Sequence, residues 1–541
     1  MDHSEIPKSE TLESVIEIGS ASSPLIEAGK QQDASEVDTA VDDYYDDGYT
    51  YGYYDDMEPP GKYKLEDDSI DAENPDEYEL GGLHPVLLGD CLGGGGRFRV
   101  VHKLGHGGYG TVWLCHDKLT KKWRAVKVVA ARFSKPEECQ DFAIAKYFAD
   151  VSPEQLAKNN IAPPFELFWI DGPNGRHLCA VIPLLGPRVE SVWRYYGHCT
   201  DLLKHLCWQV VEGLGFIHSR GICHGDLRPQ NILFRLVDGI EDWAEEEILK
   251  AFGAPKITEV SSVDGSDLPP GVPKYLVHKP EIPYSSGLCR TRVAITDFGC
   301  AYPFDDPPHD TGIPTQYCAP EGFLRGSERN MGPPSDIWSL GCTITKIFAG
   351  LEPFSSGSLG TNHVVQLIEG FLGPMPTMYR AGWKELGGQF RHEEKDESLP
   401  VTNTLWQVMT NRAEWEEEGE NFQGMLHASL CGFGGRRLGI TALQALEIEC
   451  QDFRTTGKLP TCTKPESERP DWEDCMLVEG DRKDIDCLYD LLKSIFHWEP
   501  SQRYSLDDIQ GHEWFGVIMG ELRVVSSFPR PMQDMMRRPD I

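Results

Sequence analysis

No apolar run in this sequence approaches the ~18 residues that a membrane-crossing helix needs, so no membrane association is expected. The start, Met1-Asp-His-Ser-Glu5, has neither the basic nor the apolar stretch of a secretory signal, and an intracellular protein is expected. None of the 16 cysteines are spaced as C-x-x-C, which disfavours a zinc site. In a reducing compartment they are expected to stay thiols. Positive charge is scarce: 51 Lys and Arg stand against 86 Asp and Glu, a net −35. Such a chain lacks the basic face that phosphate neutralisation requires, so direct nucleic-acid binding is not expected. Basic peptides suit its charge.

The rest of the composition is ordinary, with 40% hydrophobic, 25% charged and 10% aromatic residues. That excludes a wholly disordered or collagen-like chain. At 541 residues the chain exceeds one ordinary core of about 100–200 residues. Several domains, or one two-lobed domain with insertions, are the options. Residues 1–80 carry 24 acidic and 4 basic residues, and Val41 to Asp56 has no helical or strand period. Such a segment buries too little apolar surface to offset its ordering entropy, so an acidic disordered tail is expected over 1–80.

From about residue 98 the pattern changes. Arg97–Leu104, Thr111–Cys115, Trp123–Val129 and His177–Ile182 read as strands, and Glu138–Phe148 has helical spacing. Helical patterns then dominate at Asp201–Ser219, Ser335–Phe348, His363–Phe371 and Asp484–Phe496. Two stretches interrupt them and read as insertions: about 236–288, rich in Gly, Pro and acid, and about 386–479.

The chemistry concentrates in four places. Gly105-His106-Gly107-Gly108-Tyr109-Gly110-Thr-Val112 lies between two predicted strands. Glycines there let a strand–turn–strand backbone approach phosphates without side-chain clash. A dinucleotide fold would need a helix at once after the glycines, and Thr111–Cys115 is strand-like. Lys127, in Ala125-Val-Lys-Val, is within reach of α- and β-phosphates, although a lysine on a strand can simply point outward. His224-Gly-Asp226-Leu-Arg228-Pro-Gln-Asn231 precedes a short apolar strand. Asp226 would orient or accept the proton of a hydroxyl, and Asn231 would hold a metal ion through its amide oxygen. Asp297-Phe-Gly299 would supply the second metal ligand. Any one of these could be a turn-forming residue; all of them in order make that reading remote.

In this arrangement the chain resembles the eukaryotic protein kinases over about residues 98–516. Ala319-Pro-Glu321, Asp336-Ile-Trp-Ser-Leu-Gly341, Arg503 as partner of Glu321, and Gly511–Phe515 match further family segments. The resemblance implies an α+β bilobal kinase fold. It has a small antiparallel-sheet N-lobe (about 98–185) and a larger helical C-lobe with insertions (about 186–516), followed by a tail over 517–541. It implies ATP and Mg2+ as cofactors, with Asp226, Lys127 and Arg228 catalytic and Asn231 and Asp297 on the metal. Ile182 falls at the gatekeeper position, and backbone groups of Pro183 and Leu185 would bind adenine. Arg228-Pro-Gln-Asn231 fits Ser/Thr kinases better than tyrosine kinases.

A narrower similarity is to the SR-protein kinases, which phosphorylate serines in Arg/Ser-rich proteins and are tied to RNA splicing regulation. It rests on Asn74–Tyr78, Gly81–Val86, Trp113-Leu, Gly172-Pro-Asn-Gly175, Leu184-Leu-Gly186, Leu372–Pro376, and 65 residues between Asn231 and Asp297. It implies basic Arg/Ser-rich protein substrates, a monomer, and residence in cytoplasm, nucleus or both. Alternatives are a pseudokinase scaffold or a Ser/Thr kinase with other substrates. Four departures matter, the last being Pro314-Thr315 where kinases of this wider group usually have Thr-Arg. Gly225 replaces the usual Arg before Asp226, a non-RD pattern that implies activity without activation-loop phosphorylation. Arg228 replaces Lys. The helix residue facing Lys127 is Asp141 or, one register away, Phe142, with Glu137 and Glu138 as fallback partners.

Overall fold

The computed structural model describes residues 61–388, 448–449, 461–462 and 482–516, apart from short gaps at 68–70, 136–143, 197–199, 281, 283, 285–286, 309–311, 325–330, 351 and 356–359. Within the unit that begins at Tyr63, the chain order runs from a strand-rich part into a helical part. Strand β1 is Tyr63–Leu65 and β2 is Cys91–Leu92. Then follow β3 (Phe98–Gly107), β4 (Gly110–Asp117), β5 (Trp123–Val129), β6 (Glu166–Gly172) and β7 (Gly175–Ile182). Strands β2 to β7 form one antiparallel sheet in the order β2-β3-β4-β5-β7-β6.

Alternation explains the sheet. Phe98, Val100, Trp113, Cys115, Val126, Val128, Cys179 and Val181 point to one face and close a core there, as a period of two requires. Each fully buried side chain of this size contributes about 1.5–3 kcal/mol relative to exposure. The register sets Val112 beside Lys127 and Ala125 beside Ile182.

Between β5 and β6 lies α1 (Pro153–Lys158); the helical part is built on α2 (Val192–Tyr196) and α3 (Thr200–Ser219). A small sheet, β13-β10-β8, lies against α3. Its strands are β8 (Leu185–Arg188), β10 (Ile232–Leu236) and β13 (Cys289–Ile295). The two-residue strand β9 (Ile222–Cys223) pairs with β14 (Tyr302–Pro303). Between β10 and β13 the chain forms α4 (Glu245–Phe252), β11 (Ile257–Ser262) and β12 (Tyr275–Val277). After α5 (Pro320–Phe323) comes α6 (Pro333–Ala349), with prolines in its first turn, where no amide partner is lost, and Gly350 closing it in a left-handed turn at φ 72°. The helices α7 (Gly360–Leu372), α8 (Thr377–Glu385), α9 (Arg482–Ile495) and α10 (Leu506–Gly511) complete it. One large core holds these helices together around Trp338, Phe354 and Phe496.

One expectation is corrected. Residues 61–67 and 71–80 are not the end of a disordered tail. β1 pairs with β11 in an antiparallel sheet completed by β12. Tyr78 and Leu83 are buried with Val260, Val272 and Leu276 in a separate small core that also takes in Tyr63 and Leu65. Charge counted over the whole stretch hid these apolar residues. The rest of the expected tail (1–60), most of the second insertion and the segment 517–541 lie outside the described residues.

The first insertion is therefore folded. It leaves the helical part after β10 yet packs on the sheet of the other lobe. Trp123 donates its ring N–H to the carbonyl of Trp243 at 2.8 Å, Arg99 pairs with Glu245, and Lys122 lies 3.1 Å from Asp242.

Candidate active site

The loop after β9 is held from below by one carboxylate. Asp336, in the first turn of α6, accepts the backbone N–H of His224 at 2.7 Å and of Gly225 at 3.0 Å. His218, at the end of α3, bonds to the same carboxylate through Nε2 at 2.9 Å. Burial pushes the Asp336 carboxyl up, but the His218 hydrogen bond and charge outweigh it, and its pKa is lowered. Two loop amides that would otherwise be buried without partners are thus satisfied. His218 was not singled out by motif; its only signal is its place in the last turn before the loop.

Gly225 has φ +76°, and a Cβ there would lie 2.2 Å from the carbonyl oxygen of Cys300. The loop and the segment after Asp297 therefore touch backbone to backbone, at a distance that no side chain permits. The absence of Arg at this position is a steric requirement of this loop.

Asp226 is 7% exposed. The Asn231 amide donates to its backbone oxygen at 2.8 Å and to Oδ2 at 2.6 Å, which commits the amide nitrogen and leaves the amide oxygen directed elsewhere. Arg228 Nε lies 3.1 Å from Asp226 Oδ1. Burial raises the Asp226 pKa, against the charges of Arg228 and His224, and the neighbouring negative charge of Asp297 adds to the rise.

Asp297 occupies a left-handed conformation (φ 60°, ψ 75°). Phe298, just after it, is buried against Phe148 and His224, which fixes the turn. Lys127 Nζ meets Asp297 Oδ1 at 2.6 Å. Burial alone would raise the Asp297 carboxyl; the Lys127 charge and hydrogen bond hold it below its ordinary value.

The glycine loop is the β3–β4 hairpin. His106 faces Thr111, and Gly107 faces Gly110 across the turn through Gly108 and Tyr109. A Cβ on Gly110 would lie 2.2 Å from the carbonyl oxygen of Val128, whereas one on Gly105, Gly107 or Gly108 would meet nothing within 4 Å. Gly110 is demanded by its neighbour; the other three present open backbone. Open backbone, a lysine, two carboxylates and an amide form a donor set that suits a polyphosphate with a divalent cation.

Leu185 stands opposite Arg235 at the edge of the small sheet, in the connection that follows Ile182 and Pro183. Asp141, Phe142, Glu137 and Glu138 lie outside the described residues. Away from the cleft, Arg503 grips Glu321 through two hydrogen bonds of 2.7 Å.

The family model described as "Protein kinase domain" matches residues 98–243 and 285–515. SRSF protein kinase 3 of Homo sapiens is 36% identical over 180 residues, covering 32% of this chain and 31% of that protein. Protein kinase dsk1 of Schizosaccharomyces pombe is 33% identical over 181 residues, 32% of this chain and 33% of that one. The chain thus spans about a third of the length of these two relatives. Serine/threonine-protein kinase SRPK of Physarum polycephalum is 27% identical over 325 residues, 57% of this chain and 74% of that protein. A solved structure described as a kinase domain overlaps 79% of the chain at a TM-score of 0.42 and 19% identity, too loosely to add to the family match.

Proposed function

Since the chain belongs to the protein kinase family, we propose that it transfers the γ-phosphoryl group of ATP to serine or threonine hydroxyls. The observation that carries this is the meeting of Lys127 with Asp297 and of Asn231 with Asp226, drawn from three separate stretches of sequence, with the Asp297 charge acting on Asp226. In such transfer little covalent chemistry falls to the protein; positioning and electrostatics supply the rate. Lys127 would hold the α- and β-phosphates, and the backbone from Gly105 to Val112 would cover them. Asn231 and Asp297 would hold Mg2+, which when bound offsets the charge of the phosphates. Lys127 and Asp297 neutralise each other in this structure; a metal-bound triphosphate offers each a new partner of opposite charge. Asp226, fixed by Asn231, would orient the substrate hydroxyl and accept its proton. Arg228, beside Asp226, carries positive charge toward the transferred group. Val112, Ala125 and Ile182, on adjacent strands, would face adenine, with Leu185 binding through its backbone.

The substrates we infer are basic Arg/Ser-rich proteins. Support comes from the similarity to SRSF protein kinase 3 and dsk1 and from the net charge of −35. The close contact of Gly225 with Cys300 supports activity without loop phosphorylation, since the segment is already seated without an arginine–phosphate pair. No helix among the described residues is long and apolar enough to cross a membrane; residence in cytoplasm, nucleus or both, as a monomer, belongs to the same reading.

The test is phosphorylation of an Arg/Ser-repeat peptide against an acidic control at two salt concentrations. Transfer to the basic peptide, slowing steeply with salt and abolished in Lys127→Arg and Asp226→Asn, is the expected result. Absence of transfer by the wild-type chain would sink the enzyme reading and leave a scaffold. Preference for the acidic control would sink the substrate class alone.

A further inference from the structure

Two pieces of chain that the family model does not cover, the lead-in before residue 98 and the insertion over 244–284, meet at the glycine loop. Asp71 of the lead-in accepts or shares a proton with His106 Nε2 at 3.0 Å through Oδ1. Its other oxygen pairs with Lys279, two residues beyond β12 of the insertion. One carboxylate therefore joins the phosphate-covering hairpin to both.

The attachment is firm at its base. Two residues along, Glu73 is buried and pairs with Lys103, itself fully buried in β3, and it also bonds the hydroxyl of Tyr78. The lead-in cannot slide along β3 without unpairing that lysine, at the large cost of a lone buried charge. The insertion is tied down by β1–β11 pairing and by Asn174, whose amide donates to Leu83 at 2.7 Å and to Gly271 at 2.8 Å. A second link reaches the tip of the hairpin. Arg132 lies 3.7 Å from Glu77 and donates to the carbonyl of Gly108 at 3.4 Å.

Open glycine backbone is intrinsically loose, and a loose cover loses entropy each time it closes on a ligand. A cover held beforehand loses less. We propose that Asp71, braced by Lys279, is a positioning residue that pre-sets the glycine loop for nucleotide through His106. The catalytic meaning of this brace rests on the kinase reading above; its mechanical part does not.

The experiment compares wild type with the isosteric Asp71→Asn, and with Lys279→Met as a milder second variant. Amide hydrogen exchange across residues 105–112 is expected to quicken at least fivefold in Asp71→Asn and two- to threefold in Lys279→Met. The KM for ATP is expected to rise about fivefold in Asp71→Asn, with kcat and the KM for the peptide within twofold of wild type. Unchanged exchange over 105–112 in both variants would overturn the brace. So would a fall in kcat and thermal stability with the KM for ATP unmoved, since that is the mark of a merely structural contact. If wild type transfers no phosphoryl group, the kinase reading falls, while the exchange rates still decide whether Asp71 holds the loop.

Discussion

Glu321 and Arg503 in the helical lobe, and Lys127 and Asp297 in the cleft, are both ion pairs between distant stretches of chain, but they differ in how far water reaches them. Arg503 makes two 2.7 Å bonds to Glu321, a third to the carbonyl of Pro334 and a fourth to that of His497, and lies over the ring of Trp338. Ser335 adds a further bond to Glu321. Both side chains are sealed from water, at 1% and 0% exposure. Lys127 meets Asp297 at 2.6 Å, with 14% and 40% of their side chains exposed. The first pair is saturated and serves as scaffold. The second stands open to solvent, where a ligand could reach it.

That contrast can be broken by experiment. Asp226→Asn removes the proton acceptor and leaves the Glu321–Arg503 pair untouched. Phosphoryl transfer to the Arg/Ser peptide should fall about 10²–10⁴-fold with the thermal midpoint nearly unchanged. Arg503→Ala should do the reverse. It leaves Glu321 charged and buried, and urea unfolding should show a loss of about 3–5 kcal/mol. If Arg503→Ala kept full stability, the distinction between the sealed pair and the exposed one would fail.

Gly225→Ala tests the backbone contact between the Asp226 loop and Cys300. A left-handed non-glycine residue costs roughly 1–2 kcal/mol, and Cys300 must also move. Activity should drop more than nucleotide binding, read by titration with Mg–ATP.

Acid provides the smallest effect. The Asp336 pKa is lowered on folding despite burial, chiefly by His218. The unfolded chain then binds that proton more readily, so this stability is whole above the unfolded value near ~3.9 and is lost as pH falls through the folded one. His218→Ala should move the acid-unfolding midpoint to higher pH, followed by tryptophan fluorescence.

Much of the cleft was readable because its residues come in ordered motifs on predictable strands. Lys127 could be set on β5, and Asp226 and Asn231 on one loop, from alternation and spacing alone. The helices Thr200–Ser219 and Pro333–Ala349 were legible for the same reason, being long and periodic. Gly225 could be seen as an odd residue, but its positive φ depends on where Cys300 lies, which no local pattern encodes. Asp71 was taken for tail because its partners are His106 and Lys279, 35 and 208 positions away. β11 carried a faint signal, with Thr258 and Val260 buried between exposed neighbours, but the Gly- and Pro-rich surroundings masked it.

The sheet β1-β11-β12 joins Tyr63 to Ser262 and, through β11, to Val277. On a ribosome the first strand emerges roughly two hundred residues before its mate. Contacts of such separation form slowly, so the nascent sheet lobe must wait with one flank uncovered until the insertion is made. A chain halted between β10 and β11 would carry β1 as a bare edge, open to pairing with its neighbours on the same message.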